Sequence, residues 1–138
     1  MNKMVVGFPF YDFDLVYLIR KNRPEWQAGK LNGIGGHVEE GETAIDAMIR
    51  ECAEETGILV TDWTHVCVMK GEDFYLDVFT TQLPLGIAME TKTDEQIVRC
   101  SIHRLCFEQT IPNTRFLVSM CREHLDNPHS FKTAVFEY

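Results

Sequence analysis

Glu51, Glu54 and Glu55 stand at positions i, i+3 and i+4, directly after Arg50. In an α-helix each residue turns the side chain by roughly 100°, so three carboxylates at this spacing share one face. Like charges on one patch repel, and each raises the others' affinity for a proton. A divalent cation among them removes that penalty. Oxygen-only ligands at this density suit Mg²⁺, with Mn²⁺ as a substitute, rather than zinc. Ile45, Met48, Ile49 and Cys52 fall on the neighbouring arc and give the same helix an apolar stripe for the core. The plain alternative, a solvated acidic face, fits any one pair of these glutamates taken alone.

The elements that must position this helix follow from the local chemistry around it. Gly33, Gly35 and Gly36 precede it, where a strand must turn and where backbone atoms can approach a ligand closely. Gly41 and Glu42 open it, with Thr43 near the start, and Glu42 places negative charge at the positive end of the helix dipole. Gly57 ends it. Residues 3–9 and 13–20 are rich in β-branched and aromatic side chains and predict two strands joined by a Tyr11-Asp12 turn. Asn22-Arg23-Pro24 breaks the second, and a loop through Gly29 leads to a strand at 31–34. Residues 58–69, which carry Trp63, and 73–82 predict an antiparallel pair. The segment 84–95 is irregular, and 97–103 predicts a further short strand. Pro112-Asn113-Thr114 opens a second helix to about Leu125, with Phe116, Leu117, Met120 and Cys121 on its buried side. Residues 130–137 add a last strand. Strands before, between and after two helices predict an α+β fold, an α/β/α sandwich.

Composition narrows the function. At 138 residues the chain has the length of one domain spanning 1–138 and can bury a sizeable core. Its 45% hydrophobic and 25% charged residues are those of a soluble globular protein. No apolar run approaches the length of a membrane span, and no basic-then-apolar leader is present, so no membrane association is expected. The five cysteines lack a C-x-x-C pair and point to reduced thiols and a cytoplasmic setting. The histidines show no ligand spacing. A net charge of −8 argues against a nucleic-acid polymer as the main ligand. It leaves room for a small phosphate ester, whose charge is offset when metal ions arrive with it. Monomer and homodimer are equally compatible with these residues.

From Gly36 to Ile58 the chain resembles the Nudix hydrolases. It fills each fixed position of their signature with Gly36, Glu42, Arg50, Glu51, Glu54, Glu55 and Gly57, and places Cys52 and Ile58 in the two apolar slots. The order of elements from about residue 4 to residue 125 is similar to the Nudix fold, with a mixed β-sheet. The resemblance implies a pyrophosphohydrolase that uses divalent metal to cleave a nucleoside diphosphate linked to another group. It implies that Glu54 and Glu55 hold the metal, with Glu51 as ligand or general base and the carbonyl of Gly35 as a further oxygen ligand. Arg50 would orient the glutamates, and Glu42 would tie the preceding loop to the helix. A glutamate outside the signature often completes such a site from a loop before a late strand. Glu95 is our choice, with Asp94 and Glu90 behind it.

Substrate choice lies outside the signature. Asn113 sits where MutT-type members carry an asparagine that recognises an oxidised guanine edge, and its carboxamide has both donors and an acceptor. A helix cap is the other role open to it. Arg20 and Lys21 lie where MutT-type enzymes keep basic substrate contacts. Phe74, Tyr75 and Phe79 could give a stacking surface, and Trp26 could pack over its loop or touch a base. The segment Asn32-Gly33-Ile34-Gly35-Gly36 departs from the Phe-Pro-Gly-Gly usual in MutT-type members. The expected substrate is a (deoxy)nucleoside triphosphate, with an oxidised purine such as 8-oxo-dGTP leading. ADP-ribose, dinucleoside polyphosphates, RNA 5′ ends and a non-catalytic nucleotide sensor are the alternatives.

Overall fold

Residue patterning that alternates or repeats along short segments produces eight strands and two helices in the computed structural model, which describes residues 1–129 and 133–138. The strands are β1 (Asn2–Phe10), β2 (Leu15–Arg20), β3 (Leu31–Asn32), β4 (Ile34–His37), β5 (Thr64–Lys70), β6 (Phe74–Gln82), β7 (Gln96–Ser101) and β8 (Ala134–Glu137). The helices are α1 (Ala44–Thr56) and α2 (Thr114–Asp126). All strands join one sheet in the order β3-β2-β1-β6-β5-β8, with β4 paired to β1 and β7 paired to β2. The β1–β6 and β5–β8 pairs are parallel and the rest antiparallel, so the sheet is mixed.

Because side chains alternate across a strand, the sheet has two apolar faces and needs a cover on each. Val5, Tyr17, Ile19, Ile34 and Phe79 pack with Ala47, Met48 and Cys52 of α1. Val6, Phe8, Phe10, Leu18 and Val78 pack with Leu117, Val118 and Cys121 of α2. One helix thus covers each face, giving the α/β/α sandwich expected from the sequence. No helix among the described residues is long and apolar enough to cross a membrane. All five cysteines are free thiols.

Several boundaries differ from the sequence reading. The strand expected over 58–69 begins only at Thr64. Gly57 closes α1 in the left-handed region at φ 77°, its amide donating to the Ala53 carbonyl. Trp63 is buried there, ahead of the strand, with its indole N–H on the Val60 carbonyl at 3.0 Å. The second strand starts at Leu15 rather than at 13, because Asp12 turns the chain by accepting from the Phe13 amide at 2.7 Å. The strand expected over 97–103 runs from Gln96 to Ser101. In α2, Phe116 is 48% exposed; the buried stripe is Leu117, Val118, Cys121 and His124. Of the strand expected over 130–137, residues 130–132 lie outside the described residues and the remainder is β8.

Candidate active site

The acidic helix is fixed at both ends by its own sequence. Thr43 caps it, its hydroxyl accepting from the Asp46 amide at 3.2 Å, and Gly57 closes it. On this frame Arg50 is a hub. Its Nε and one terminal nitrogen donate to the two oxygens of Glu42 at 2.8 and 3.0 Å. The latter nitrogen also donates to the His37 carbonyl at 3.0 Å, and the other terminal nitrogen reaches Glu51 at 3.0 Å and Glu54 at 3.3 Å. A forked guanidinium suits this task because its donors are planar and its charge permanent. Glu42 in turn accepts from the Glu39 amide at 3.0 Å, which ties the loop before α1 to the helix. The hydrogen bonds from Arg50 and from the Glu39 amide hold the Glu42 carboxyl down at about 2.

Glu51 and Glu55 form the buried part of the acidic face. A Cβ on Gly36 would stand 2.5 Å from a Glu51 oxygen, so the absence of a side chain at 36 makes the space in which this carboxylate sits. At Gly35 a Cβ would stand 2.0 Å from the Val5 carbonyl oxygen, so β1 and β4 could not pair at this spacing with any other residue. Glu55 Oε2 is buried with no hydrogen-bond partner. Burial first, and then the charge and hydrogen bond of Glu51, push the Glu55 carboxyl well above the ordinary carboxylate range, with Glu95 adding to it and Lys21 opposing it. A buried oxygen without a partner, beside a second carboxylate, is costly unless a cation completes the site. Among the described residues no group of three His, Cys, Asp or Glu side chains stands ready to hold a metal. Glu54, 57% exposed, is turned towards Arg50 and would have to swing back to join Glu51 and Glu55. The oxygen-only donors fit a hard divalent cation.

The three acids considered outside the helix have different fates. Glu95 is 7% exposed and accepts from Lys21 Nζ at 2.9 Å and from the Asn22 amide at 2.6 Å. Burial pushes its carboxyl up, but the Asn22 amide and Lys21 outweigh that and hold it below the usual range. Asp94 is exposed and paired with Arg23, and Glu90 is exposed and paired with Lys92 at 3.1 Å. Of the three, only Glu95 is close enough to Glu55 to act on its charge.

Gly35, Gly36, Lys21 and Glu95 also line one end of a cleft of about 720 Å³. Its floor is the sheet face covered by α2, with Met4, Val6, Leu76 and Met69, and Leu117 forms part of the wall. Phe74, Trp26, Asn113 and Tyr138 line it as well. Arg20 does not; its guanidinium donates to the Gly29 carbonyl at 3.0 Å and so shapes the loop instead. Tyr75 is also outside the cleft lining, and Phe79 is buried on the α1 face, as alternation along β6 dictates. Asn113 holds the first position before α2 with φ 74°, and its side chain makes no capping bond. Its amide nitrogen donates instead to the Tyr138 hydroxyl. Tyr138 escaped the sequence reading because a lone aromatic after a short strand carries no local signal. Only the parallel pairing of β8 with β5 brings it here.

The fold has counterparts among known proteins. A family model described as the NUDIX domain matches residues 1–115. A MutT from work on Aliivibrio salmonicida and Vibrio cholerae shares the fold at TM-score 0.74 and 22% identity, covering 88% of this chain and 98% of that one. The NUDIX domain of Shewanella oneidensis NrtR, in complex with ADP ribose, is similar at TM-score 0.75 and 16% identity, covering 90% and 86%. A NUDIX hydrolase from Nitrosomonas europaea is similar at TM-score 0.75 and 14% identity, covering 99% and 79%. Among curated proteins no sequence matches significantly. With five-sixths of its length matched by the family model, this chain belongs to the NUDIX domain family and is a Nudix hydrolase.

Proposed function

We propose that this protein is a Mg²⁺-dependent pyrophosphohydrolase acting on a free nucleotide, most consistent with a (deoxy)nucleoside triphosphate cleaved to monophosphate and pyrophosphate. The observation that carries this is the orphaned Glu55 oxygen beside Glu51, which packs on Gly36, a lining residue of a cleft that also carries apolar and aromatic side chains. A polyanion with an attached base is the ligand that such a polarised cleft suits. Glu51, Glu54 and Glu55 would hold the cation, with Glu95 and the Gly35 carbonyl as further oxygen donors and Mn²⁺ as a substitute metal. When bound, the cation supplies charge neutralisation for the pyrophosphate and an activated water for attack at phosphorus.

The chain's own residues do the rest. Arg50 fixes the direction of Glu51 while Glu42 fixes Arg50, so Glu51 is set before substrate arrives. Such preorganisation avoids reorganisation cost during reaction. Burial and the neighbouring Glu51 carboxylate raise the proton affinity of Glu55, which suits this pair to supply a general base. Lys21 brings positive charge to the same end, where it can meet a phosphate oxygen. Asn113 presents an amide to the far end, where a purine edge would lie. An oxidised purine such as 8-oxo-dGTP leads among the substrates for that reason. ADP-ribose, dinucleoside polyphosphates and RNA 5′ ends share the same scissile chemistry.

A nucleotide sensor is the second reading, favoured by the ADP ribose bound to the NrtR domain. It has no use for Glu51 stacked against Glu55, which costs stability without a cation. The test is a panel of nucleoside triphosphates, oxidised purine triphosphates, ADP-ribose and dinucleoside polyphosphates with Mg²⁺, read by pyrophosphate or phosphate release. Turnover of a triphosphate with pyrophosphate as product is expected. Binding without turnover across the whole panel would establish the sensor instead.

A further inference from the structure

The base end of the cleft is held together by a contact that neither helix nor sheet requires. Tyr138 is pinned through its backbone, its amide donating to the Lys70 carbonyl at 2.9 Å at the end of β5. The residue nevertheless remains 71% exposed and lines the cleft. The ring stands 5.7 Å from that of Phe74, with the planes inclined at 52°, so the two form a splayed aromatic wall rather than a closed stack. Opposite them, Asn113 adopts φ 74°, a left-handed conformation that asparagine tolerates better than most residues. Its carbonyl accepts from the Leu117 amide at 2.9 Å and starts α2, yet its carboxamide turns away from the helix to the Tyr138 hydroxyl. A carboxamide offers two N–H donors and one acceptor. With one N–H engaged by Tyr138, the other N–H and the oxygen remain for a ligand.

The spacing also matches. From Gly36 on β4 the floor runs across β1 and β6 to Met69 on β5, three strand steps, or about 14 Å at the usual interstrand distance. A nucleotide with its phosphates at Gly36 and Lys21 would reach the Phe74–Tyr138 wall with its base. We propose that Tyr138 is a specificity-determining residue for the substrate base: its ring forms one wall of the base pocket, and its hydroxyl orients the Asn113 carboxamide that reads the base edge. The inference rests on the proposed reading of the cleft as a nucleotide site. It assigns the selectivity of that site to a residue in the part of the chain beyond the family match.

The experiment compares wild type, Tyr138→Phe, Tyr138→Ala, Asn113→Ala and the Asn113→Ala/Tyr138→Phe double variant. Each is assayed on the four common deoxynucleoside triphosphates and 8-oxo-dGTP with Mg²⁺, and each is assayed for binding through the fluorescence of Trp26, which lines the cleft. Tyr138→Phe keeps the ring and frees Asn113, so the kcat/KM ratio between the best and second-best base should fall about tenfold. Tyr138→Ala should also raise KM for every nucleotide. In the Asn113→Ala background the loss of the hydroxyl should cost no further selectivity, because the two act as one unit. An unchanged ratio between the best and second-best base in Tyr138→Phe, a uniform drop across all bases, or additive effects in the double variant would each overturn the assignment while leaving the nucleotide reading intact. A wild type that neither cleaves nor binds any of the nucleotides would overturn both.

Discussion

The two ends of the cleft are built on opposite principles. At the acidic end, which lies behind Gly36, the residues Glu42, Arg50, Glu51 and Glu55 come from one continuous segment; charged hydrogen bonds tie Glu42, Arg50 and Glu51 together, and a Glu55 oxygen is left without a partner. At the base end, Met4, Phe74, Asn113 and Tyr138 come from β1, β6, the start of α2 and the end of β8, and a single hydrogen bond links Asn113 to Tyr138. On the proposed reading, the part that handles phosphorus is held by charged hydrogen bonds, and the part that meets the base is held by few polar contacts.

The sharpest way to break this contrast is to neutralise the acidic end without changing its shape. Glu55→Gln and Glu54→Gln remove charge from two proposed ligands and should each lower kcat by about two orders of magnitude or more. Glu95→Gln should cost less, because Lys21 and the Asn22 amide already satisfy Glu95 in the present arrangement. Steady-state kinetics at saturating Mg²⁺ decides. A silent Glu95→Gln beside a damaging Asp94→Asn or Glu90→Gln would move the outside ligand elsewhere.

A smaller effect is expected at the base end. Asn113 makes no capping bond, so Asn113→Asp should leave the melting temperature nearly unchanged. The same change removes the amide donors, and kcat/KM for the preferred purine should fall by about tenfold. A large loss of melting temperature with intact selectivity would make Asn113 a structural residue after all.

The smallest effect concerns stability towards acid. Glu42 is held at about 2 against an ordinary 4.5 by Arg50 and the Glu39 amide. A carboxyl with a lowered folded-state pKa stabilises fully above its unfolded value, and that contribution is lost as pH falls through the folded one. Glu42→Gln should therefore be less stable than wild type at neutral pH, with the gap closing between about 4.5 and about 2. A gap that persists unchanged to pH 2 would mean that the charge of Glu42 contributes nothing.

These contrasts also explain what could be read from the sequence. The acidic end was legible because helix periodicity places residues three and four apart on one face, and Gly36, Glu42 and Gly57 mark its entry and exit within the same segment. The sandwich was legible from strand and helix patterning. The base end was not, because its composition depends on the β1–β6 and β5–β8 parallel pairings, which join segments far apart in sequence and leave no local trace. Arg20 and Lys21 illustrate the limit. They are adjacent and of equal charge, yet one shapes the loop at Gly29 and the other enters the cleft. The strand boundary at Thr64 moved for a related reason, since burying Trp63 against α1 outweighs the β propensity of residues 58–62.

The central claim is that the orphaned oxygen of Glu55 and its neighbours await a divalent cation that catalysis needs and the fold does not. Turnover of the best nucleotide should be measured in excess chelator, then after adding Mg²⁺ or Mn²⁺, with circular dichroism followed throughout. The account predicts loss of turnover with an intact fold and recovery on adding metal. Full activity in excess chelator would contradict it.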